Sequence, residues 1–241
     1  MRSQLRHLLC SIFGFLAITL GFVSSVLAAD EATIRKNIEK ALDGTQVISI
    51  NKTPYLGLYE VFTGDTILYV DEKASLVIAG NLIDLKTEKN ITRDRMNLLT
   101  AIKFDKLPLE QAFKQVHGNG KRRMATFEDP NCGYCKRLAK ELAKVDNVTI
   151  YTFLTPVLGP DSDKKSQQIW CSADPTKAWN EWMIEGKALK GNANCDTSAI
   201  RKNGELAEKL RVRGTPAIFF ESGERIPGYI TQDVIEQKLG K

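Results

Sequence analysis

Two cysteines separated by two residues, Cys132 and Cys135, constrain the fold of this 241-residue chain more than any other feature. The run Met124–Phe127 before them, apolar except for Thr126, is typical of a strand, and Cys132–Val145 has the spacing of a helix. A cysteine pair at a strand-to-helix turn is best held by an α/β sheet. The sequence therefore predicts that residues 119–241 form an α/β domain around this turn.

Alternating strand and helix patterns continue through the rest of this half of the chain. Strands are predicted at 148–154, 217–220 and 225–229, and helices at 197–210 and 231–239. A polar and helical insertion from about residue 160 to about residue 195 interrupts the alternation. Trp170, Trp179 and Trp182 lie in it at helical spacing, which is more typical of core residues than of a binding surface.

Residues 1–28 have the parts of a secretory signal peptide. Arg2 and Arg6 precede an apolar run from Leu8 to about Val23, and small residues ending at Ala28 offer a cleavage site. A retained membrane anchor is the alternative, but the run is short for a span of about 20 residues. We expect cleavage after Ala28 or one residue later, and no stable membrane insertion afterwards.

Charge and cysteine content narrow the classes of function. The chain has 34 Lys and Arg against 29 Asp and Glu, and loss of Arg2 and Arg6 leaves a net charge of about +3. No dense basic run and no glycine-rich phosphate loop is present, which argues against nucleic-acid binding. Four cysteines follow the signal peptide, and an even number in an exported protein indicates disulfides.

Cys132 is predicted to be the attacking thiolate. Asn131 is a favourable N-cap, so we expect Cys132 at the first helical position, where free N–H groups and the helix dipole stabilise a negative sulfur. Lys136 and Arg137 are close enough in sequence to add positive potential, and the alternative is that both are simply solvated. Cys135, one turn later, is expected to be buried and to resolve a mixed disulfide formed on Cys132.

Gly133 and Tyr134 lie between the two cysteines and set the geometry of the two sulfurs. Two other interpretations of the cysteine pair, a zinc site and a structural disulfide, have less support. A zinc site needs a second close pair of ligands, which the chain lacks, since His117 is the only histidine after the signal peptide. A purely structural disulfide here closes so small a loop that it restricts the unfolded chain little. We expect no metal and no cofactor.

Cys171 and Cys195, unlike Cys132 and Cys135, are spaced as a structural disulfide. They enclose about 25 residues, and a bridge across such a loop contributes about 3 to 4 kcal/mol on the chain-entropy model. Neither has a second cysteine two residues away. We interpret them as a structural disulfide of the insertion rather than a second redox pair.

Thr215 and Pro216 stand at the entrance of the predicted strand 217–220. A Thr–Pro bond there is a candidate cis peptide, although a proline at a strand start is by itself more often trans. The upstream strand, cysteine pair and helix favour the cis form. It turns the Thr215 backbone outward, where an extended substrate segment can pair with it.

Residues 29–89 have a different pattern, a helix followed by short strands. A helix is predicted at 30–43, and strands near 47–50, 55–62, 66–70, 76–78 and 82–85. About sixty residues bury only a modest core, so we expect this module to pair with a second copy through a sheet edge.

A linker is predicted at residues 90–118. Helical spacing returns at Thr92, and Pro108 separates it from a second short helical segment over 109–116. The polar stretch that follows ends the linker.

Together these features resemble the DsbC/DsbG family of bacterial periplasmic disulfide isomerases, and DsbC most. The segments that carry the resemblance keep the family's order and spacing over nearly the whole mature chain, and they are Phe127–Cys135, Ile169–Cys171, Cys195–Asp196, Gly214–Ala217 and Pro227–Tyr229. The hairpin at Leu68–Gly80 is similar to the family's N-terminal sheet. The chain departs from the best-known pattern at Asp129–Asn131 and at Pro108.

The resemblance implies a V-shaped homodimer. Cystatin-like α+β N-terminal domains pair, helical linkers form the arms, and two thioredoxin-like domains with helical insertions face an apolar cleft. It also implies that Cys132 is the nucleophile, Cys135 the resolving thiol and Pro216 a cis proline, with Cys171 and Cys195 as the structural bridge. A DsbD-like membrane reductase then keeps the active pair reduced, and chaperone activity is expected.

The expected function is isomerisation and reduction of misoxidised exported proteins in the periplasm. An isomerase must hold a partly unfolded substrate, and the cleft between two arms that the N-terminal module provides is absent from a lone thioredoxin domain. A DsbG-like reductase of single oxidised cysteines is the nearest alternative, which Gly133 disfavours because proline is commoner there in DsbG-like chains. A holdase chaperone with incidental cysteines and an assembly factor with narrow clients are further alternatives.

Overall fold

The structure, a computed structural model, describes residues 20–191 and 193–240. Most of the predicted signal peptide lies outside the described residues. The chain forms two compact units, Met1–Met96 and Asn97–Lys241. Among the helices of the described residues, none combines the length and the apolar character that a membrane span requires.

The first unit contains one long helix, a four-stranded antiparallel sheet, a short two-stranded ladder and the beginning of a second helix. Helix α1 is Leu20–Ala41, and the sheet has the order β1 (Ser49–Lys52), β2 (Tyr59–Phe62), β3 (Ile67–Val70), β4 (Val77–Ala79). A short ladder of β5 (Ile83–Asp84) and β6 (Lys89–Asn90) follows, and helix α2 is Ile91–Thr100. The predicted order of a helix and short strands is confirmed.

The two central strands and α1 hold the core of this unit. Ile34 and Ile38, one turn apart on α1, pack with Val61 and Val70 of β2 and β3. By contrast, every residue of the outermost strand β4 is exposed, although Val77 and Ile78 are large and apolar. An exposed apolar strand at a sheet edge is an unpaired hydrogen-bonding surface.

The second unit is a five-stranded sheet with helices on both faces. Its strands are β7 (Phe113–His117), β8 (Arg122–Glu128), β9 (Val148–Leu154), β10 (Ala217–Phe220) and β11 (Arg225–Pro227), in the order β11-β10-β8-β9-β7. Its helices are α3 (Gly133–Leu142), α4 (Pro160–Trp170), α5 (Pro175–Met183), α6 (Ser198–Lys209) and α7 (Gln232–Leu239). Strands β8 and β9 are parallel and α3 connects them.

Alternate residues of the central strand β8 enter different cores. Met124 packs with Leu138 of α3, whereas Ala125 and Phe127 pack with Phe153 and the α6 side. Both faces of the sheet are therefore covered. The end of β8 leads directly into the cysteine pair.

The prediction of a helical segment over 109–116 was wrong. Leu109–Gln111 forms a single 3-10 turn, and Phe113–His117 is the edge strand β7, antiparallel to β9. Phe113 and Gln115 are buried while Val116 is exposed, an alternation that the helical spacing concealed. The sheet therefore begins before residue 119, inside the segment predicted as linker.

Candidate active site

Cys132 and Cys135 are both free thiols at the start of α3. Cys132 is 7% exposed and Cys135 is fully buried. The Cys132 sulfur accepts a hydrogen bond from the Cys135 backbone N–H at 3.4 Å, so Cys132 itself is the N-cap. The prediction that Asn131 caps the helix was wrong, because the Asn131 side chain bonds instead to Asp161 and Lys165 of α4.

The two thiols have opposite pKa shifts. Hydrogen bonding with Cys135 is the main cause that lowers the pKa of Cys132 to about 5, and the Thr215 side chain acts in the same direction. Burial raises the pKa of Cys135 far above its ordinary value. At neutral pH the pair therefore consists of a thiolate on Cys132 and a neutral thiol on Cys135, and the thiolate is the nucleophilic form.

Thr215 and Pro216 lie beside the Cys132 sulfur. The Thr215–Pro216 peptide bond is cis, and the Thr215 carbonyl oxygen is 3.3 Å from the Cys132 sulfur. The Pro216 carbonyl accepts a hydrogen bond from the Gly228 N–H at 2.7 Å, which ties the turn to the end of β11. The fold thus brings together the two sequence segments that were predicted to bind substrate and to react with it.

Asp129 holds the loop in front of the pair. Its buried carboxylate accepts hydrogen bonds from the N–H groups of Asn131 at 2.7 Å, Val157 at 2.7 Å and Leu158 at 2.9 Å, and from the Ser162 hydroxyl at 2.8 Å. One side chain therefore joins the turn before Cys132 to the loop after β9.

Lys136 and Arg137 each lie over an aromatic ring. The Lys136 Nζ lies 4.5 Å from the centroid of the Trp182 ring, and the Trp182 N–H donates to the Pro130 carbonyl at 2.6 Å. The guanidinium of Arg137 lies over the ring of Tyr134. The main influences that lower the pKa of Cys132 are local hydrogen bonds.

Comparison with known proteins agrees with this geometry. Residues 109–241 match the thioredoxin-like domain family, and residues 25–93 match the disulfide bond isomerase protein N-terminal domain. The probable thiol:disulfide interchange protein DsbC of Bordetella parapertussis is 46% identical over 206 residues, which are 86% of this chain and 73% of that protein. The chain belongs to the DsbC family.

Other DsbC-family relatives extend the match. The thiol:disulfide interchange protein DsbC of Escherichia coli (strain K12) is 29% identical over 222 residues, which are 90% of each chain. A crystal structure of the disulfide interchange protein from Neisseria gonorrhoeae is 37% identical with a TM-score of 0.52, covering 56% of this chain and 100% of that one.

DsbC-family membership confirms the predicted architecture, an N-terminal dimerisation domain followed by a thioredoxin-like domain. It also makes the chain an enzyme, a thiol–disulfide oxidoreductase of the disulfide isomerase class.

The other two cysteines of this DsbC-family chain form a disulfide. Cys171 and Cys195 are bonded across 24 residues, with their Cα atoms 5.5 Å apart. The bridge joins the end of α4 to the segment before α6. Trp170 adds a second connection there, since its ring N–H donates to the Asp196 carbonyl at 3.0 Å. Within the described ranges, no cluster of three or more potential metal ligands is present.

The three tryptophans of the insertion belong to, or pack against, the core cluster that contains Cys132 and Cys135. Trp179 is almost fully buried and packs against Phe113, as predicted for a core residue. Trp170 and Trp182 are only partly buried. Both donate hydrogen bonds to backbone carbonyls, so they position loops in addition to filling the core.

Sequence reasoning missed Glu128 and the role of Asp129. Both side chains are fully buried, although they precede the cysteine pair by only four and three residues. The available signal was two consecutive acids directly after an apolar strand, a position where ordinary surface residues are not expected.

Proposed function

We propose that this protein reduces and isomerises incorrect disulfides in exported proteins through Cys132 and Cys135. The main support is the difference between the two sulfurs, since the pKa of Cys132 is lowered to about 5 while that of Cys135 is raised. Because Cys135 stays protonated, the negative charge stays on Cys132, and this thiolate can attack the disulfides of other proteins.

The first step forms a mixed disulfide. The Cys132 thiolate attacks one sulfur of a substrate disulfide, a new S–S bond forms, and the other substrate sulfur leaves as a thiolate. The backbone of Thr215, whose carbonyl oxygen is 3.3 Å from the Cys132 sulfur, holds an extended substrate segment in place. Pro216 fixes that turn.

Two routes release the substrate. In isomerisation, a substrate thiolate pairs with the substrate sulfur held on Cys132, which expels Cys132 as a thiolate and leaves a new substrate disulfide. In reduction, Cys135 attacks the Cys132 sulfur, the substrate leaves as a thiolate, and the enzyme retains a Cys132–Cys135 disulfide. The second route requires a reductant to restore the pair, for which we propose a DsbD-like membrane partner.

We propose that two copies pair through the first unit. The exposed apolar strand β4, with Val77 and Ile78 at its surface, supports pairing with a second chain. Residues 29–89 form this dimerisation domain, and the catalytic domain begins close to residue 109, since β7 belongs to its sheet. The dimer places two catalytic domains on one substrate and accounts for a chaperone activity.

We also propose a periplasmic location, with residues 1–28 removed as a signal peptide. The support is the basic and apolar start of the sequence and the family to which the chain belongs. Disulfides of the Cys171–Cys195 kind persist in such an oxidising compartment.

Reactivation of scrambled ribonuclease tests the proposed function. The mature protein is expected to restore ribonuclease activity, and Cys132→Ala is expected to abolish this while still suppressing aggregation of an unfolded client. Cys135→Ala is expected to retain isomerisation in a glutathione buffer. Full reactivation by Cys132→Ala contradicts the proposal and favours the holdase alternative.

A further inference from the structure

Two cations of α3 lie at the end of the helix that carries the reactive sulfur. Arg137 follows Cys132 in the helix, yet its guanidinium lies 5.2 Å from the centroid of the Tyr134 ring, nearer the start of the helix. Helical side chains lean toward the N-terminus of their helix, which explains this direction. Tyr134 and Arg137 are both exposed, so this positive charge faces solvent beside the cysteine pair.

Lys136 is held near the same end of α3 by Trp182. Its Nζ lies 4.5 Å from the centroid of the Trp182 ring, and the Trp182 N–H donates to the Pro130 carbonyl at 2.6 Å. Pro130 belongs to the turn directly before Cys132, in which the Cys132 N–H donates to the Asp129 carbonyl at 3.1 Å. Trp182 therefore fixes a second cation next to this turn.

Acidic side chains do not neutralise these two cations. Within residues 20–191 and 193–240, neither Lys136 nor Arg137 forms an ion pair. Two acids at the turn are engaged elsewhere, since Asp161 pairs with Lys165 and the buried Asp129 accepts four hydrogen bonds. Apart from the thiolate itself, the charge that a substrate meets on this side of the site is positive.

A third cation lies on the other side of the sulfur. Arg213 is exposed and comes shortly before Thr215, whose carbonyl oxygen is 3.3 Å from the Cys132 sulfur. Strands β8 and β10 are antiparallel with Phe127 opposite Ala217, so the turn after β8 and the loop before β10 share one edge of the sheet. A substrate segment that pairs with Thr215 and reacts with Cys132 therefore meets positive charge on both sides.

We propose that Lys136, Arg137 and Arg213 make the reaction selective for substrate disulfides that have acidic side chains nearby. This inference rests on the proposed function and adds a substrate class to it. Fixed positive charges attract a segment rich in Asp and Glu and repel one rich in Lys and Arg. They also offset the repulsion between the Cys132 thiolate and an acidic segment. The three residues determine specificity and take no proton or electron in the reaction.

The size of the selectivity follows from Coulomb's law. Along α3, at about 1.5 Å per residue, Arg137 lies about 8 Å from Cys132. In water, one pair of unit charges at this separation changes a rate about twofold. Two cations and two substrate charges form four such pairs, some of them longer. We therefore expect removal of Lys136 and Arg137 to change the rate with each charged substrate at least about fourfold.

Three peptide disulfides test the selectivity in a Cys135→Ala background, where the adduct on Cys132 accumulates. The probes are the symmetrical disulfides of Asp-Cys-Asp, Gln-Cys-Gln and Lys-Cys-Lys, all with blocked termini. The Cys132 thiolate bonds to one probe sulfur, the other half leaves as a thiolate, and the adduct is measured by mass after acid quenching.

The double variant Lys136→Gln with Arg137→Gln is compared with its parent at an ionic strength of about 0.01 M, where the Debye length is about 30 Å. We expect the acidic probe to react at least about fourfold more slowly and the basic probe at least about fourfold faster. The ratio of the acidic to the basic rate then falls at least about tenfold. Arg213→Gln alone is expected to lower this ratio at least about twofold.

The ratio of rates separates charge from reactivity. A change in the Cys132 thiolate alters the rates with all three probes by the same factor and leaves the ratio unchanged. Lys121→Gln is the matched control, because Lys121 is exposed directly before β8. The seven residues of β8, at about 3.3 Å each, place it about 23 Å from the active site. Its ratio is expected to match that of the parent within about 1.5-fold.

Salt gives a second measurement. At an ionic strength of about 1 M the Debye length is about 3 Å, so the parent and the double variant are expected to have the same ratio within about twofold. A double variant whose ratio at low salt lies within about twofold of the parent overturns the inference, and so does a difference that persists at high salt. Failure of the parent to form any adduct with Gln-Cys-Gln refutes instead the proposed function.

Discussion

Replacing Asp129 tests whether one buried carboxylate holds the loop in front of the cysteine pair. Asp129→Ala leaves four donors without their acceptor, the N–H groups of Asn131, Val157 and Leu158 and the Ser162 hydroxyl. Each unsatisfied buried donor costs about 1–3 kcal/mol. Three of these contacts are only partly buried, so we use the lower end and expect a loss of about 4 kcal/mol in the free energy of unfolding.

Asp129→Asn tests the two carboxylate oxygens separately, because it replaces only one of them. One oxygen receives Asn131 and Ser162, and the other receives Val157 and Leu158. An amide oxygen placed toward Val157 and Leu158 keeps that pair, and the Ser162 hydroxyl can turn to accept from the amide. One backbone N–H is then left without a partner, so we expect a loss of about 2 kcal/mol.

Urea unfolding of the mature protein measures both effects. All three tryptophans, Trp170, Trp179 and Trp182, lie in the second unit, so tryptophan fluorescence reports on that unit alone. Asp163→Asn is the control, because Asp163 is exposed and bonds to the Gln167 side chain; we expect a change within about 0.5 kcal/mol. The reasoning is refuted if Asp129→Ala lies within about 1 kcal/mol of wild type, or if both variants are equally unstable.

Four further predictions concern other parts of the molecule. Thiolate absorbance of the reduced protein is expected to titrate with a midpoint near pH 5 and to vanish in Cys132→Ser. Because folding lowers the pKa of Cys132, the reduced protein should have a higher free energy of unfolding than Cys132→Ser. This difference should be fully present above the pKa of the unfolded thiol and should be lost as the pH falls through 5. A difference that does not depend on pH contradicts this. Replacing Cys171 and Cys195 by alanine is expected to lower stability in urea by about 2–4 kcal/mol without moving the Cys132 midpoint, and an unchanged stability excludes a structural role. Ile78→Asp on β4 is expected to give a monomer by light scattering while the control Leu56→Asp, at a fully exposed loop position, stays dimeric; a dimeric Ile78→Asp shows that β4 is not the interface.

The local sequence pattern was sufficient to predict an element where its residues suit one type of secondary structure only. Strands 148–154 and 217–220 have the predicted limits, because their apolar β-branched and aromatic residues suit a buried strand wherever it pairs. The segment 109–116 was predicted wrongly because its apolar spacing fits both a helix and an edge strand. Only pairing of Phe113–His117 with β9 decides between them.

The helix cap shows a similar limit. Asn131 has the right chemistry for an N-cap, yet its side chain is engaged by Asp161 and Lys165, which lie about 30 residues later in the chain. Lys136 likewise lies close to Cys132 in sequence but rests on Trp182. In both cases a partner from a distant segment outweighs the local preference.

From the sequence alone it followed which two cysteines form a close pair, that this pair lies between a strand and a helix, and that a separate module precedes the thioredoxin-like domain. These properties follow from residue spacing along one stretch of chain. The surroundings of the sulfurs depend on the tertiary structure, since Thr215 comes 83 residues after Cys132 in the chain and Glu128 becomes fully buried only when the domain folds. Hydrogen bonds and desolvation depend on which segments meet in space, and those two effects give Cys132 and Cys135 their different pKa values.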